Sequence, residues 1–408
     1  MSGWKKFKIK DVVYINPENY STKDQWDYIN YLETSNLTEG RIDSLQKIHV
    51  GIDKIPSRAK RKVKVDDVLI STVRPNQKHY GIIRNFVNNF VVSTGFAVLR
   101  ANQDMLDPYY LYLLVTRDNV TEYLSNVAED STTAYPSITP NIIGELDIAL
   151  PPLLEQKAIA EILRSLDDKI DLLHRNNQTL EAMAETIFRQ WFVEGNRMFN
   201  NSNFSVLLSD TFGGDWGKEK AQGKYTVEVL CIRGTDIGSF NKGLHGKMPI
   251  RFIKSDKFNK CKLENGDIVI EVSGGSDDQS TGRTMYLTNE YLQMFDKPLI
   301  CSNFCRVLRP KKKEYMYFLY LYFNYLYNRG EFFNLENGTS GIRNLDVNSL
   351  IEGIEFPMPN ENSILDFNNR INILFRKIQA NRNQMITLES LRDTLLPKLI
   401  TGEIRVPV

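Results

Sequence analysis

The chain has 408 residues, of which 42% are hydrophobic, and its formal net charge is +1. This length exceeds what one hydrophobic core usually serves, so we expect two globular domains with additional helix. The near-neutral charge argues against a uniformly basic coat for nucleic acid, but not against local basic patches. No apolar run approaches the roughly 18 residues of a membrane span, and four cysteines without a signal peptide indicate a reducing, cytoplasmic setting.

Residues 1–150 are predicted to form a globular α/β domain. β-branched and aromatic residues concentrate in three strand-like runs, at residues 64–71, 80–84 and 90–100. A helix is predicted at residues 107–116, because Asp107 is a favourable N-cap and Pro108 suits the first helical position.

Residues 151–195 are predicted to form a long spacer helix after a double proline. Apolar side chains recur there at alternating steps of four and three residues, which is the heptad pattern of a coiled coil. The seam consists of Ile159, Leu163, Leu166, Ile170, Leu173, Leu180, Ala184, Ile187 and Trp191, with Asn177 at a polar position.

The same pattern occurs a second time, 208 residues further along the chain. This offset places Pro151 on Pro359 and Leu180 on Leu388 without a gap. The second seam consists of Phe367, Ile371, Leu374, Ile378, Asn381, Met385, Leu388, Leu395 and Leu399, interrupted at Arg392. We therefore expect residues 358–408 to form a second spacer helix, and residues 196–357 to form a second globular domain that repeats the first.

The two seams also predict how the helices pair. In an antiparallel pair the numbers of facing residues have a constant sum, and the opposite heptad types of Asn177 and Asn381 allow these residues to face each other, at a sum of 558. A shift by one heptad would bury each amide against a hydrophobe, at a cost of about 1–3 kcal/mol per unsatisfied group. We predict contact between the two asparagines; the alternative is that both lie at the wet edge of the seam.

A search for catalytic residues finds no credible active site. Residues 213–218 carry glycines and a lysine at the wrong spacing for a phosphate-binding loop, and there is no HExxH metal motif. Cys301 and Cys305 are more typical of buried thiols than of a zinc site. Residues 155–157 (EQK) resemble half of a nuclease site, but they follow a double proline rather than a strand. We predict no catalytic residue, no metal site and no bound cofactor in this chain.

Two loops are better suited to contacting DNA. The first follows a predicted strand and carries side chains that can pair with base edges in the major groove, namely Arg74, Asn76, Gln77, Lys78 and His79. At the matching place in the second domain, glycines let the backbone approach a surface closely, and the candidate contacts are Ser273, Ser276, Gln279 and Arg283. The alternative is that both loops are solvated hairpin tips.

A basic run precedes the first loop and consists of Arg58, Lys60, Arg61 and Lys62. Clustered positive charges of this kind bind DNA phosphates, so the run is a candidate phosphate-binding patch. The alternative is ordinary solvated surface charge.

Both halves of the chain resemble the specificity subunit of type I restriction–modification systems. The resemblance is carried by LPPLLEQKAIAEIL at 150–163, IFRQWFV at 187–193, STVRPN at 71–76 and LESLRDTLLPKLITGEI at 388–404, and it covers nearly the whole chain. The second helix departs from it, because residues 359–363 lack the second proline and the Glu-Gln pair.

The resemblance implies an α/β fold with two target-recognition domains, each binding one half of a split, asymmetric sequence in double-stranded DNA. The two helices would form an antiparallel coiled coil that spaces the domains. Two methyltransferase subunits would supply S-adenosylmethionine chemistry, and restriction subunits would supply cleavage driven by ATP with Mg²⁺. This chain would be non-catalytic by itself and would not bind a membrane.

Two other classes of protein remain open at this stage. One is a coiled-coil scaffold without sequence-specific DNA binding, and the other is an enzyme that acts alone, such as a nuclease. The two matched polar loops favour DNA reading over a pure scaffold, since a scaffold needs no diversified domains.

Overall fold

The computed structural model describes residues 4–130, 136–195, 200–241, 243, 246–275, 279–338 and 343–407. These residues form two compact units, Met1–Lys169 with Leu388–Val408, and Ile170–Thr387. The units divide the chain differently from the four predicted segments, because each unit takes one half of each long helix into its own core.

The described residues of the first unit form two four-stranded sheets, two smaller two-stranded sheets and several short helices. Its strands are β1 (Lys5–Lys8), β2 (Val13–Ile15), β3 (Tyr28–Leu32), β4 (Leu37–Thr38), β5 (Arg41–Ile42), β6 (Gln46–His49), β7 (Ala59–Lys62), β8 (Val68–Ser71), β9 (Tyr80–Ile82), β10 (Phe90–Ser93), β11 (Phe96–Ala101) and β12 (Asp147–Leu150). Its short helices are α1 (Ile9–Val12), α2 (Pro108–Val115), α3 (Asp118–Glu129) and α4 (Pro140–Gly144). One sheet is antiparallel with the order β2-β11-β8-β9, and the other has the order β6-β3-β10-β7 with β3 parallel to β10.

The predicted strand runs of this unit are shortened or split by the structure. In the run 64–71 the strand begins only at Val68, because Asp66 turns the chain with a φ of +72°. The run 90–100 forms two strands in different sheets, joined by a turn at Thr94 and Gly95. A Cβ atom on Gly95 would lie 2.7 Å from Oγ1 of Thr34, so the close passage of the chain requires glycine.

Helix α2 is capped as the sequence predicts. The carboxylate of Asp107 accepts hydrogen bonds from the backbone N–H groups of Tyr109 and Tyr110, both at 2.9 Å, and Pro108 occupies the first helical position. This satisfies N–H groups that the helix itself leaves unpaired, so the prediction of a capped helix is confirmed.

The second unit repeats much of this arrangement. Helix α5 (Leu153–Phe188) and a π-helical turn at Arg189–Val193 lead into it. Its strands are β13 (Asn201–Asn203), β14 (Leu208–Gly213), β15 (Tyr225–Ile232), β16 (Ile250–Lys254), β17 (Ile268–Glu271), β18 (Ser273–Gly274), β19 (Thr284–Tyr286), β20 (Leu299–Cys301), β21 (Cys305–Pro310), β22 (Glu336–Asn337), β23 (Arg343–Leu345) and β24 (Glu355–Pro357). Its helices are α6 (Gly234–Asn241), α7 (Ser255–Cys261), α8 (Asn289–Leu292), α9 (Met316–Asn328) and, after β24, α10 (Glu361–Ile400).

The internal repeat is visible in the strand order of the two units. The order β2-β11-β8-β9 in the first unit corresponds to β14-β21-β17-β19 in the second, with antiparallel neighbours throughout. The parallel pair of β3 with β10 corresponds to the parallel pair of β15 with β20. In each unit an early strand pairs with the strand that precedes a long helix, β1 with β12 and β13 with β24. Two domains of one topology are therefore present.

One buried ion pair also recurs in both units. Nε and Nη2 of Arg100 each donate to a carboxylate oxygen of Asp67, both at 2.7 Å. Nε and Nη2 of Arg309 hold Asp267 in the same way, both at 2.8 Å. Both carboxylates are only 1% exposed, so each pair joins a central strand to the turn before its neighbour. These residues were not among the predicted sites, although the Asp and the Arg recur at matching places in both halves of the sequence.

Helices α5 and α10 pair in the predicted antiparallel register. In the second unit, Nδ2 of Asn381 donates to Oδ1 of Asn177 at 2.8 Å, and the side chains are 1% and 3% exposed. This is the contact that the sum of 558 predicts, and the burial of both amides excludes the wet-edge alternative. The same register also pairs Trp191 with Phe367, and the centroids of their rings are 5.9 Å apart. Among the described residues, no helix has both the length and the apolar character needed to cross a membrane.

Candidate nucleic-acid interface

The first candidate loop connects β8 to the edge strand β9. Its tip is a single 3-10 turn, Pro75–Gln77, flanked by Arg74 and Lys78, whose φ angles are +46° and +54°. Non-glycine residues seldom adopt this left-handed conformation, which costs on the order of 1–3 kcal/mol. Residues that do adopt it are concentrated at functional sites. The side chains of Arg74, Asn76 and Gln77 are exposed. The loop therefore presents a guanidinium and two amides to solvent on a fixed backbone.

Lys78 and His79, the last two candidates in this loop, are partly buried and make contacts within the protein. Nζ of Lys78 lies 2.9 Å from a carboxylate oxygen of Asp118, at the start of α3. Nδ1 of His79 lies 2.6 Å from the backbone oxygen of Leu37. These contacts hold the loop in place, and the role of Lys78 and His79 as DNA contacts stays a prediction.

The basic run lies on and beside the edge strand β7. Arg58 and Lys60 are exposed. Arg61 is partly buried, and burial lowers the pKa of its guanidinium. Lys62 pairs with Asp24 at 2.7 Å, and this hydrogen bond lowers the pKa of the Asp24 carboxyl. The run is thus divided, with two cations directed to solvent and two held in the domain.

The loop and the basic run meet at the turn between β10 and β11. The backbone N–H of Thr94 donates to the oxygen of Arg58 at 2.8 Å, and the oxygen of Gly95 accepts from the N–H of Thr72 at 2.8 Å. The sequence separates the two features by more than ten residues, but the fold places them on either side of one turn. Exposed Arg58, Lys60, Arg74 and Asn76 can therefore belong to a single surface.

The second candidate loop connects β17 to β19, which is the topological equivalent of the first. Nε and Nη2 of Arg283 donate to the two carboxylate oxygens of Glu271, at 2.8 and 2.7 Å. Glu271 is 3% exposed, so the guanidinium neutralises a buried charge. Arg283 therefore supports this loop through Glu271, and its role as a DNA contact stays a prediction. Ser276 lies outside the described residues.

The remaining candidates of the second loop also make hydrogen bonds within the domain. Oγ of Ser273 donates to Oδ1 of Asn344 at 2.5 Å, across the ladder between β18 and β23. Nε2 of Gln279, which is exposed, lies 3.3 Å from the hydroxyl of Tyr327. A small sheet holds β18 at the start of this loop, whereas two left-handed residues flank the tip of the first loop.

The glycine and cysteine motifs of the second domain have structural explanations. A Cβ atom on Gly214 would lie 1.8 Å from the backbone oxygen of Cys301, so glycine is needed for close packing rather than for binding phosphate. The four cysteines are free and buried, and burial raises the pKa of Cys231 to about 12. No group of three or more His, Cys, Asp and Glu side chains suited to a metal occurs in the described part of the chain.

The Glu-Gln pair at the start of α5 has a structural role that sequence analysis missed. The carboxylate of Glu155, 2% exposed, accepts from Nε and Nη2 of Arg405 at 2.5 and 2.8 Å. Oε1 of Gln156 accepts from the N–H of Asp107 at 3.0 Å, and its Nε2 donates to the oxygen of Met105 at 3.0 Å. These contacts fasten the helix to the cap of α2 and to the last residues of the chain. They do not resemble a nuclease site.

A family model described as the type I restriction modification DNA specificity domain matches residues 1–182 and 247–384. The chain belongs to this family. DNA specificity in type I restriction–modification is accordingly its role. The two topologically equivalent domains described above fit the two regions that the family model matches.

Relatives named as type I specificity subunits are similar to this chain over nearly its whole length. The HindI specificity subunit of Haemophilus influenzae is 24% identical, with 99% of this chain and 100% of the relative covered. The putative MjaX specificity subunit of Methanocaldococcus jannaschii is 22% identical, with 99% and 94% covered. The crystal structure of a type I restriction–modification S subunit from M. genitalium has a TM-score of 0.54 at 16% identity, with 97% and 96% covered, and shows the shared fold.

Proposed function

We propose that this chain reads a bipartite, asymmetric DNA site, with one half-site bound by each domain. The observation that carries the proposal is the pair of loops between β8 and β9 and between β17 and β19. They occupy the same place in two domains of one topology, yet they differ in sequence and in the structure that holds them. The first contains a 3-10 turn flanked by left-handed residues, and the second begins with a strand paired to β23. Equal placement gives the two domains the same approach to a duplex, and unequal chemistry gives them different base preferences.

The proposed DNA contacts are the candidate side chains that the structure leaves exposed. They are Arg58, Lys60, Arg74, Asn76, Gln77 and Gln279. Arginine and asparagine can form bidentate pairs with guanine and adenine edges, respectively, while Arg58 and Lys60 on the neighbouring strand suit phosphates.

The proposal includes partners that supply the chemistry. Two methyltransferase subunits with S-adenosylmethionine would modify the site, and restriction subunits with ATP and Mg²⁺ would cleave DNA. This chain would contribute DNA specificity and no catalytic group. The four unpaired cysteines fit a reducing cytoplasm as the place of assembly.

Reconstitution tests the proposed function. The purified chain alone is expected neither to methylate nor to cut DNA, and its addition to methyltransferase subunits is expected to direct methylation to one two-part sequence. Methylation mapping by sequencing, with the methyltransferase subunits alone as the control, measures this. Robust methylation or cleavage by the chain without partners would contradict the proposal.

The variant Arg74→Ala is expected to damage recognition of one half-site only. Loss of one base contact costs on the order of 1–3 kcal/mol, or roughly 5- to 150-fold in affinity. Binding of the assembled complex to duplexes altered in either half-site measures this effect.

Lys60→Ala is the matched control for a phosphate contact. It is expected to weaken binding to all sequences about equally and to reduce the dependence of affinity on salt. If Arg74→Ala instead left base preference unchanged, the exposed guanidinium would have to be reassigned from base reading to another role.

A further inference from the structure

The turn between β20 and β21 presents an aromatic side chain beside the second loop. Phe304 is 53% exposed, whereas its neighbours Ser302 and Cys305 are buried at 0% and 1%. The strands on both sides belong to the core of the domain, so the backbone of this turn is held in place.

Hydrogen bonds tie this turn directly to the second loop. The backbone oxygen of Phe304 accepts from the N–H groups of Val272 and Ser273, at 2.8 and 3.3 Å. The first domain has the same bond at the equivalent place, from Thr72 to the oxygen of Gly95 at 2.8 Å. Phe304 thus occupies the topological position of Gly95, and the two domains differ there by a whole phenyl ring.

The exposed ring complements a loop in which two candidate polar side chains are held within the domain. Ser273 is hydrogen-bonded to Asn344, and Arg283 is paired with the buried Glu271. In the major groove, the methyl group of thymine is the feature that apolar side chains recognise. The neighbouring Asn303 is also exposed, and an asparagine amide matches the adenine of an A·T pair.

We propose that Phe304 is a specificity-determining residue whose ring contacts a thymine methyl group in the half-site read by the second domain. The inference rests on the proposed function and deepens it. It predicts that this half-site contains an A·T pair, and that the methyl group of its thymine contributes to binding.

Replacing thymine by deoxyuridine tests the contact, because it removes only the methyl group. Arg74→Ala identifies the half-site of the first domain, and each thymine of the other half-site is then replaced singly. The assembled wild-type complex is expected to lose about fourfold in affinity at one position, as expected for one buried methyl group. Phe304→Ala is expected to bind the thymine and deoxyuridine duplexes equally, and Phe304→Leu to retain part of the difference.

Phe86→Ala provides the matched control. Phe86 is 77% exposed and follows β9, at the opposite end of this strand from the first loop, so its variant is expected to discriminate the two duplexes as the wild type does. A half-site without an A·T pair, or unchanged discrimination in Phe304→Ala, would overturn the inference while leaving the proposed function intact. The inference would also be overturned if Phe304→Ala weakened binding to all duplexes equally and the wild type did not distinguish thymine from deoxyuridine. That result would indicate that the ring is inserted between base pairs. If adding this chain directed methylation to no two-part sequence, both the inference and the proposed function would be overturned.

Discussion

The variant Arg309→Met is expected to lose about 3 kcal/mol of unfolding free energy at pH 7. Its partner Asp267 is 1% exposed and accepts from two guanidinium nitrogens at 2.8 Å. Removing one member of a buried ion pair leaves an uncompensated charge and typically costs about 3–5 kcal/mol. We expect the lower end of this range, because the Arg309 side chain is 28% exposed and water can replace part of its interaction. Equilibrium urea unfolding measures the loss.

The destabilisation should depend on pH in a defined direction. Burial raises the pKa of Asp267, while Arg309 lowers it, so the pKa rises further in the variant. An acid whose pKa is higher in the folded state destabilises the protein when ionised, and this penalty is relieved as the pH falls through the folded pKa towards the unfolded value of about 3.9. The difference between the variant and the wild type is therefore expected to shrink from pH 7 to pH 5.

A double variant controls for the loss of the arginine side chain itself. Asp267→Asn combined with Arg309→Met removes the buried charge and should recover much of the stability at pH 7. Arg100→Met tests the equivalent pair in the first domain and should also destabilise, since Asp67 is equally buried. A loss that is identical at pH 5 and pH 7, and that the double variant does not relieve, would show that the charge of Asp267 is not its cause.

Insertion of one matched heptad into both long helices is expected to change the DNA site without changing the bases read. Seven residues would be added to α5 between Leu166 and Leu173, and seven to α10 between Met385 and Arg392. The predicted register keeps these segments opposite each other, so the apolar seam is preserved. At 1.5 Å per residue each helix lengthens by about 10 Å, or about three base pairs at 3.4 Å each. On the proposed function, the gap between the half-sites should widen by that amount.

Methylation mapping of the reconstituted complex measures the gap and the bases together. The control is the same insertion in α5 alone, which shifts one seam against the other and is expected to destabilise the pairing that Asn177 and Asn381 fix. Altered half-site bases at an unaltered gap would contradict the role of the helices as spacers.

The sequence by itself determined the repeat and the pairing of the helices. An offset of 208 residues aligned the two halves, and the heptad pattern placed Asn177 opposite Asn381, which the structure shows bonded at 2.8 Å. These features were predictable because they depend on spacing along one helix and on the cost of burying an unpaired amide. The cap of α2 was predictable for a similar reason, since Asp107 contacts N–H groups only two and three residues away.

Only the tertiary structure showed which partners the candidate polar side chains have within the protein. Lys78 and Arg283 are indistinguishable from contact residues in the sequence, yet their partners Asp118 and Glu271 lie 40 and 12 residues away. A side chain is captured by whichever charge the fold brings near it, and loop sequence alone does not specify that neighbour. For the same reason, the aromatic position at Phe304 emerged only when the topology matched its turn to that of Gly95.

The contacts between each domain and the long-helix segment packed on it also show what the sequence determines and what the structure decides. The offset of 208 places Tyr109 on Tyr317 and Asp167 on Phe375. In the first unit the hydroxyl of Tyr109 donates to the carboxylate of Asp167, whereas in the second the ring of Tyr317 stacks on Phe375 with centroids 4.2 Å apart. The sequence determined that these positions correspond. Only the structure decided that one pair interacts through a hydrogen bond and the other through ring stacking, because a tyrosine side chain offers both a hydroxyl and an aromatic face and its neighbour selects between them.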